Sequence, residues 1–97
     1  MSLASYQIAG ASPGDVIAKI ARELSFPDYF GGNLDALYDC LTDLGWLPPG
    51  DHMLIWSGTS ALAAADAESY ARLAAVLTDA VAAGTGTNRR LSVIFWP

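Results

Sequence analysis

"HMLIWS", His52 to Ser57, is the stretch that decides the fold. It is a continuous apolar run bounded by turn residues, with Pro48, Pro49 and Gly50 before it and Gly58 after it. A strand with one wet face alternates apolar and polar residues, so this run predicts a strand covered on both faces and interior to a sheet. Two further strands lie toward the ends of the chain. "YQIA", Tyr6 to Ala9, is short, partly alternating and ended by Gly10; "LSVIFW", Leu91 to Trp96, reads as another buried strand. Helical patterns separate all three strands, which requires parallel crossovers. The expected fold is α/β, a three-stranded parallel sheet flanked by helices, in a single domain over residues 1–97.

The helices are written in caps and stripes. In "SPGD", Ser12 is an N-cap, Pro13 takes the first helical position and Asp15 follows three residues after the cap. Val16, Ile17, Ile20, Ala21 and Leu24 then share one face. Pro27 and the Gly31-Gly32 pair in "SFPDYFGG" force a loop. Asn33 caps a second helix, read from Asn33 to Gly45, whose stripe is Leu34, Leu37, Leu41 and Leu44, with Gly45 as the left-handed C-terminal cap. "WLPPGD" is a turn-rich connection in which the Leu47-Pro48 bond could be cis. "GTSALAAAD" suits a short helix. "AESYARLAAVLTDAVAAG" suits a long one that turns Tyr70, Leu73, Ala74, Leu77 and Val81 inward and ends at Gly84, before a loop "TGTNRR".

At 97 residues the chain suffices for one modest core, burying somewhat over about 60% of its unfolded surface. Ten acidic residues against five basic ones give a net charge of -5, which argues against nucleic acid and favours a cationic partner. No apolar run approaches the roughly 20 residues of a membrane span, and the start carries no basic segment followed by an apolar one. The expectation is a cytoplasmic protein without membrane association. A lone cysteine, Cys40, cannot close an intramolecular disulfide. One histidine, His52, leaves no His-Cys zinc cluster and only one possible base for a Ser-His-Asp triad. "GTGTNRR" lacks the ending of a phosphate-binding loop, and "GASPG" lacks dinucleotide-binding spacing. No catalytic residue, metal site or cofactor is expected.

One pattern is left over. Asp35, Asp39 and Asp43 recur every four residues in "NLDALYDCLTDLG", Asn33 to Gly45, with no Lys or Arg among them. Like charges at that spacing cost about 0.2–0.5 kcal/mol per pair, and aspartate is a poor interior helix former, so local stability does not account for the row. A solvated polar face is the plain explanation. A magnesium-dependent hydrolase built on the three carboxylates is another, and an acidic scaffold that binds some cationic protein is a third. Tyr29 and Phe30 in the preceding loop and Tyr38 beside the row add aromatics at a loop-helix junction, which are typical anchors of protein interfaces and equally typical of cores.

At these residues the chain resembles the barstar family, intracellular protein inhibitors of secreted bacterial ribonucleases. The resemblance is carried by "FPDYFGGNLDALYDCL", Phe26 to Leu41, where aromatic, glycine and aspartate positions match together; elsewhere it is one of element order and length. It implies a similar fold and a 1:1 complex with an extracellular ribonuclease. Asp39 would occupy the place of an RNA phosphate, Asp35 would meet a second cationic or donor group, and Tyr29 would cover the catalytic histidine region. The backbone from Gly31 to Asn33 would take part, and counting back from Gly84 places Asp79 at an outer acidic contact. The expected partner-binding set is Tyr29, Phe30, Gly31, Asn33, Asp35, Tyr38, Asp39, Thr42, Asp43 and Asp79. Departures from the family pattern are Tyr38 in place of an indole, Gly32 in place of an acidic residue, and the longer turn "TDLGWLPPGD". They fall on the rim, where partner choice is set.

Overall fold

The computed structural model describes residues 3–97; the first two residues of the expected 1–97 domain lie outside the described residues. Seven elements follow one another: β1 (Leu3–Ile8), α1 (Pro13–Glu23), α2 (Leu34–Leu41), β2 (Gly50–Ser57), α3 (Thr59–Ala65), α4 (Ala67–Ala83) and β3 (Arg89–Trp96). The sheet has the order β1-β2-β3 with both pairings parallel, so the "HMLIWS" strand is central, as its apolar run predicts. β1 begins before the expected "YQIA", and β3 takes in Arg89 and Arg90 from the expected loop.

One expectation for β2 is corrected. Burial along the strand alternates strictly: Gly50, His52, Leu54 and Trp56 are buried, whereas Asp51, Met53, Ile55 and Ser57 are only half so. β3 alternates too, with Leu91 its one buried residue and Trp96 61% exposed, so it is an edge strand and not a buried one. Topology supplies the reason. Both crossovers step the same way across the sheet, and crossovers of parallel strands are right-handed, so both lay their helices on the same face. The register puts Ile8, Trp56 and Phe95 in one row of that covered face, while Gln7, Ile55 and Ile94 form a row of the open one. The run is apolar on both sides although only one side is closed.

The core lies between the covered face and the helices, and includes Val16, Ile20 and Leu24 of the α1 segment, Leu37, Leu41 and Leu44 around α2, and Leu73 and Leu77 of α4. In α4, Ala80 is buried where Val81 was expected; Val81 is 37% exposed. α2 packs mainly against α4. No helix among the described residues is long and apolar enough to cross a membrane.

Candidate functional site

The site grows from the end of α1. There the Phe26 amide donates to the Ala21 carbonyl (2.8 Å) and the Ser25 amide to that of Arg22 (3.2 Å), the paired bonds of a Schellman cap, with Ser25 in the left-handed position at φ 55°. A turn follows, closed by the Phe30 amide on the Pro27 carbonyl (3.0 Å). Phe26 and Phe30 meet edge to face with ring centres 4.9 Å apart, and both pack against the core. Tyr29, at the tip, is 77% exposed. The two flanking rings thus hold the turn while Tyr29 is presented to solvent. Gly31 and Gly32 are exposed, and Gly32 has φ 75°, a conformation that costs any residue with a Cβ. Asn33 then caps α2 as expected, its Oδ1 accepting from the Ala36 amide at 2.8 Å.

Along α2 the helical period sorts residues into two faces. Leu37, Cys40 and Leu41 are buried; Asp35, Tyr38 and Asp39 are exposed, Tyr38 at 36%. The helix is shorter than the sequence predicts, ending at Leu41 with Thr42 as its cap. The Thr42 hydroxyl lies 3.0 Å from the Tyr38 carbonyl and 3.2 Å from that of Asp39, so it satisfies the last turn beneath the two exposed residues. Asp43 therefore lies past the helix, and its carboxylate accepts from the Gly45 amide (3.1 Å). The left-handed residue is Leu44 at φ 54°, not Gly45; with Leu44 fully buried, its side chain closes the core at some backbone strain. The acidic row is two carboxylates on a helix and a third in its terminal turn.

No ion pair among the described residues uses Asp35, Asp39 or Asp43. Their field is felt inside: burial first, then the charges of Asp39 and Asp43, push the Cys40 thiol up from its ordinary pKa. Among the described residues, no three His, Cys, Asp or Glu side chains are placed together to hold a metal ion. Asp79 is exposed on α4, the helix that α2 packs against.

Sequence reasoning gave His52 no specific role and left out Trp46 and Arg89. His52 is buried, with Nε2 2.8 Å from the Pro48 carbonyl and Nδ1 2.8 Å from the Tyr6 hydroxyl. A carbonyl only accepts, so Nε2 is the donor to Pro48, and Nδ1 pairs with the Tyr6 hydroxyl. Arg89 Nε donates to the Leu47 carbonyl at 2.7 Å. The turn after α2 contains two prolines and so has few donors; its carbonyls are tied down by side chains of β2 and β3, with the Leu47-Pro48 bond trans. The one available signal was that Pro-Pro pair, which leaves carbonyls to be satisfied from elsewhere.

Comparison with known proteins shows the family. The model of the family "Barstar (barnase inhibitor)" matches residues 9–95. The chain belongs to the barstar family. A Bacillus subtilis (strain 168) protein named "Putative ribonuclease inhibitor YrdF" is 68% identical over 25 residues, which is 26% of this chain and 25% of that protein. The aligned stretch thus spans about a quarter of that relative's length. The three-stranded parallel sheet with four helices agrees with the barstar fold.

Proposed function

We propose that this protein is a cytoplasmic, non-enzymatic inhibitor that binds a secreted guanyl-type ribonuclease one to one and plugs its active site, with Asp39 standing where an RNA phosphate would lie. The observation that carries this reading is the unneutralised, exposed carboxylate pair Asp35 and Asp39 on a helix that is capped at both ends and buried on its other face, beside an exposed Tyr29. A ribonuclease gathers Arg, Lys and His to hold phosphates. A carboxylate accepts the same charge-assisted hydrogen bonds and offers no bond to cleave, so it occupies the site without turning over. Asp35 meets a second donor, Tyr29 covers the catalytic histidine region, and the exposed backbone from Gly31 to Asn33 adds contacts that no side chain obstructs. Asp43 and Asp79 lie outside this centre and steer the encounter. Such an inhibitor would act as an immunity protein, sparing the producing cell its own enzyme.

The test is a pull-down from culture supernatant of the source organism, followed by titration of the recovered ribonuclease with and without a chelator. Complete inhibition at one equivalent, unchanged by chelator, is expected. Recovery of non-nuclease partners alone would overturn the reading, as would a hydrolase activity of the protein itself that the chelator abolishes.

A further inference from the structure

We infer that Trp46 is a positioning residue for the proposed inhibitory surface: it closes the chain from Phe26 to Trp46 into a ring and thereby sets the Tyr29 turn relative to α2. This rests on the reading above for what the surface does, but not for the ring itself.

Trp46 comes from the turn after α2, yet both of its specific contacts are with the segment before α2. Its indole Nε1–H donates to the Leu24 carbonyl at 2.8 Å, and its ring meets Phe26 edge to face with centres 5.8 Å apart. Leu24 is the C-cap of α1 and fully buried, so its carbonyl is one of the helix-end acceptors that need a partner from elsewhere. From Phe26 the contact passes to Phe30, the other end of the turn that carries Tyr29. Tyr29, being so exposed, has little packing of its own to place it. α2 itself leans mainly on α4, so the indole is a direct tie between the far end of the α2 segment and α1. Arg89 and His52 hold the adjacent Leu47 and Pro48 carbonyls and so brace the base from which Trp46 projects.

The experiment uses Trp46→Phe, which keeps a ring against Phe26 and removes the N–H donor. In the free protein, hydrogen exchange of the Phe30 amide should accelerate about tenfold, the effect of leaving a buried carbonyl unpaired, while the β2 amides keep their protection. Against the ribonuclease, dissociation should accelerate by a similar factor with association nearly unchanged, because the carboxylates that steer the encounter are untouched. In a Tyr29→Ala background most of that effect should vanish if Trp46 acts through the turn. Exchange at Phe30 that stays at the parent rate overturns the inference, as does a loss of protection spread equally over β2. Additive effects of the Tyr29 and Trp46 substitutions also overturn it, since they would mean that the indole touches the partner directly. Should the parent protein inhibit no ribonuclease, the functional reading fails, and the exchange measurement still decides whether the ring exists.

Discussion

α1 and α2 start alike and then handle charge in opposite ways. Each opens on a side-chain cap, Ser12 or Asn33, and each has an aspartate in its first turn, where the helix dipole favours an anion. In α1 the acid then meets a base: Lys19 Nζ lies 3.2 Å from Asp15 one turn on, and Arg22 occupies the last turn, where a cation is favoured. In α2 the next charge is Asp39, and no basic residue occupies the last turn. Asp15, Lys19 and Arg22 are explained by the helix that carries them, and of its charges only Glu23, at the last position, is not. No ion pair among the described residues accounts for the charges of Asp35 and Asp39, and the proposed binding surface rests on that contrast.

Exchanging one carboxylate from each helix is the strongest way to break the comparison. Asp39→Ala should weaken inhibition by more than about 2 kcal/mol, a ranking inherited from the family, because the ribonuclease would keep a buried cluster of cations with no counter-charge. The melting temperature should stay level or rise, since Asp39 is exposed and alanine is the better helix former. Asp39→Asn should fail as an inhibitor as well, having the shape without the charge. Asp15→Ala should inhibit like the parent. Inhibition constants and melting curves of these variants decide it, and an Asp39→Ala protein that inhibits normally removes the phosphate-mimic mechanism.

Asp35→Ala should rank second in lost inhibition, and it differs from Asp39 in one respect. Asp35 lies in the first turn, so its removal should also lower stability, by no more than about 1 kcal/mol. A smaller matched pair comes from the caps. Ser12→Ala and Asn33→Ala should each cost about 1 kcal/mol in denaturant unfolding, but only Asn33→Ala should also speed dissociation of the complex, because the α2 cap adjoins the binding loop.

Acid sharpens the comparison from the α1 side. The Lys19 ammonium hydrogen-bonded to Asp15, together with the Ala11 amide, holds that carboxyl below the ordinary range. The Ser69 amide does the same for Asp66, the cap of α4. A carboxyl whose folded pKa is depressed stabilises the fold above its unfolded pKa, and the contribution is lost as pH falls through the folded value. The melting temperature should thus decline below about pH 4, and Asp15→Asn with Asp66→Asn should flatten that decline. A slope unchanged in the double variant would count against both assignments. Least effect is expected at the periphery. Asp43→Asn keeps an oxygen for the Gly45 amide and should leave the fold intact. Neither it nor Asp79→Asn should abolish inhibition; each should only slow association, and less so as salt shortens the Debye length from about 10 Å at 0.1 M to about 3 Å at 1 M. Complete loss with either would move the centre of the interface.

Most elements and the two-faced nature of α2 were legible because they depend on neighbours within one turn. Ser12, Asn33 and the leucine stripe declare themselves at spacings of three and four residues. What went astray needed distant partners. Gly45 looked like the left-handed cap, yet Leu44 takes that conformation because its side chain has a core to enter. Val81 and Ala80 are adjacent on their helix, and only the packing of α4 decides which of the two is buried. Arg89 and Arg90 read as loop, but their pairing with Gly50 and Asp51 makes them strand.

By itself the sequence determined the element order, the parallel crossovers, the N-caps Ser12 and Asn33 and the exposed acidic pair, all of which follow from chain-local periodicity and backbone chemistry. The tertiary structure decided that the sheet has one bare face, since that depends on both crossovers turning the same way, which no window of residues records. It also decided that Asp43 leaves the helix, and that Trp46 reaches back across 22 residues to the end of α1. These contacts join parts of the chain that the fold alone brings together.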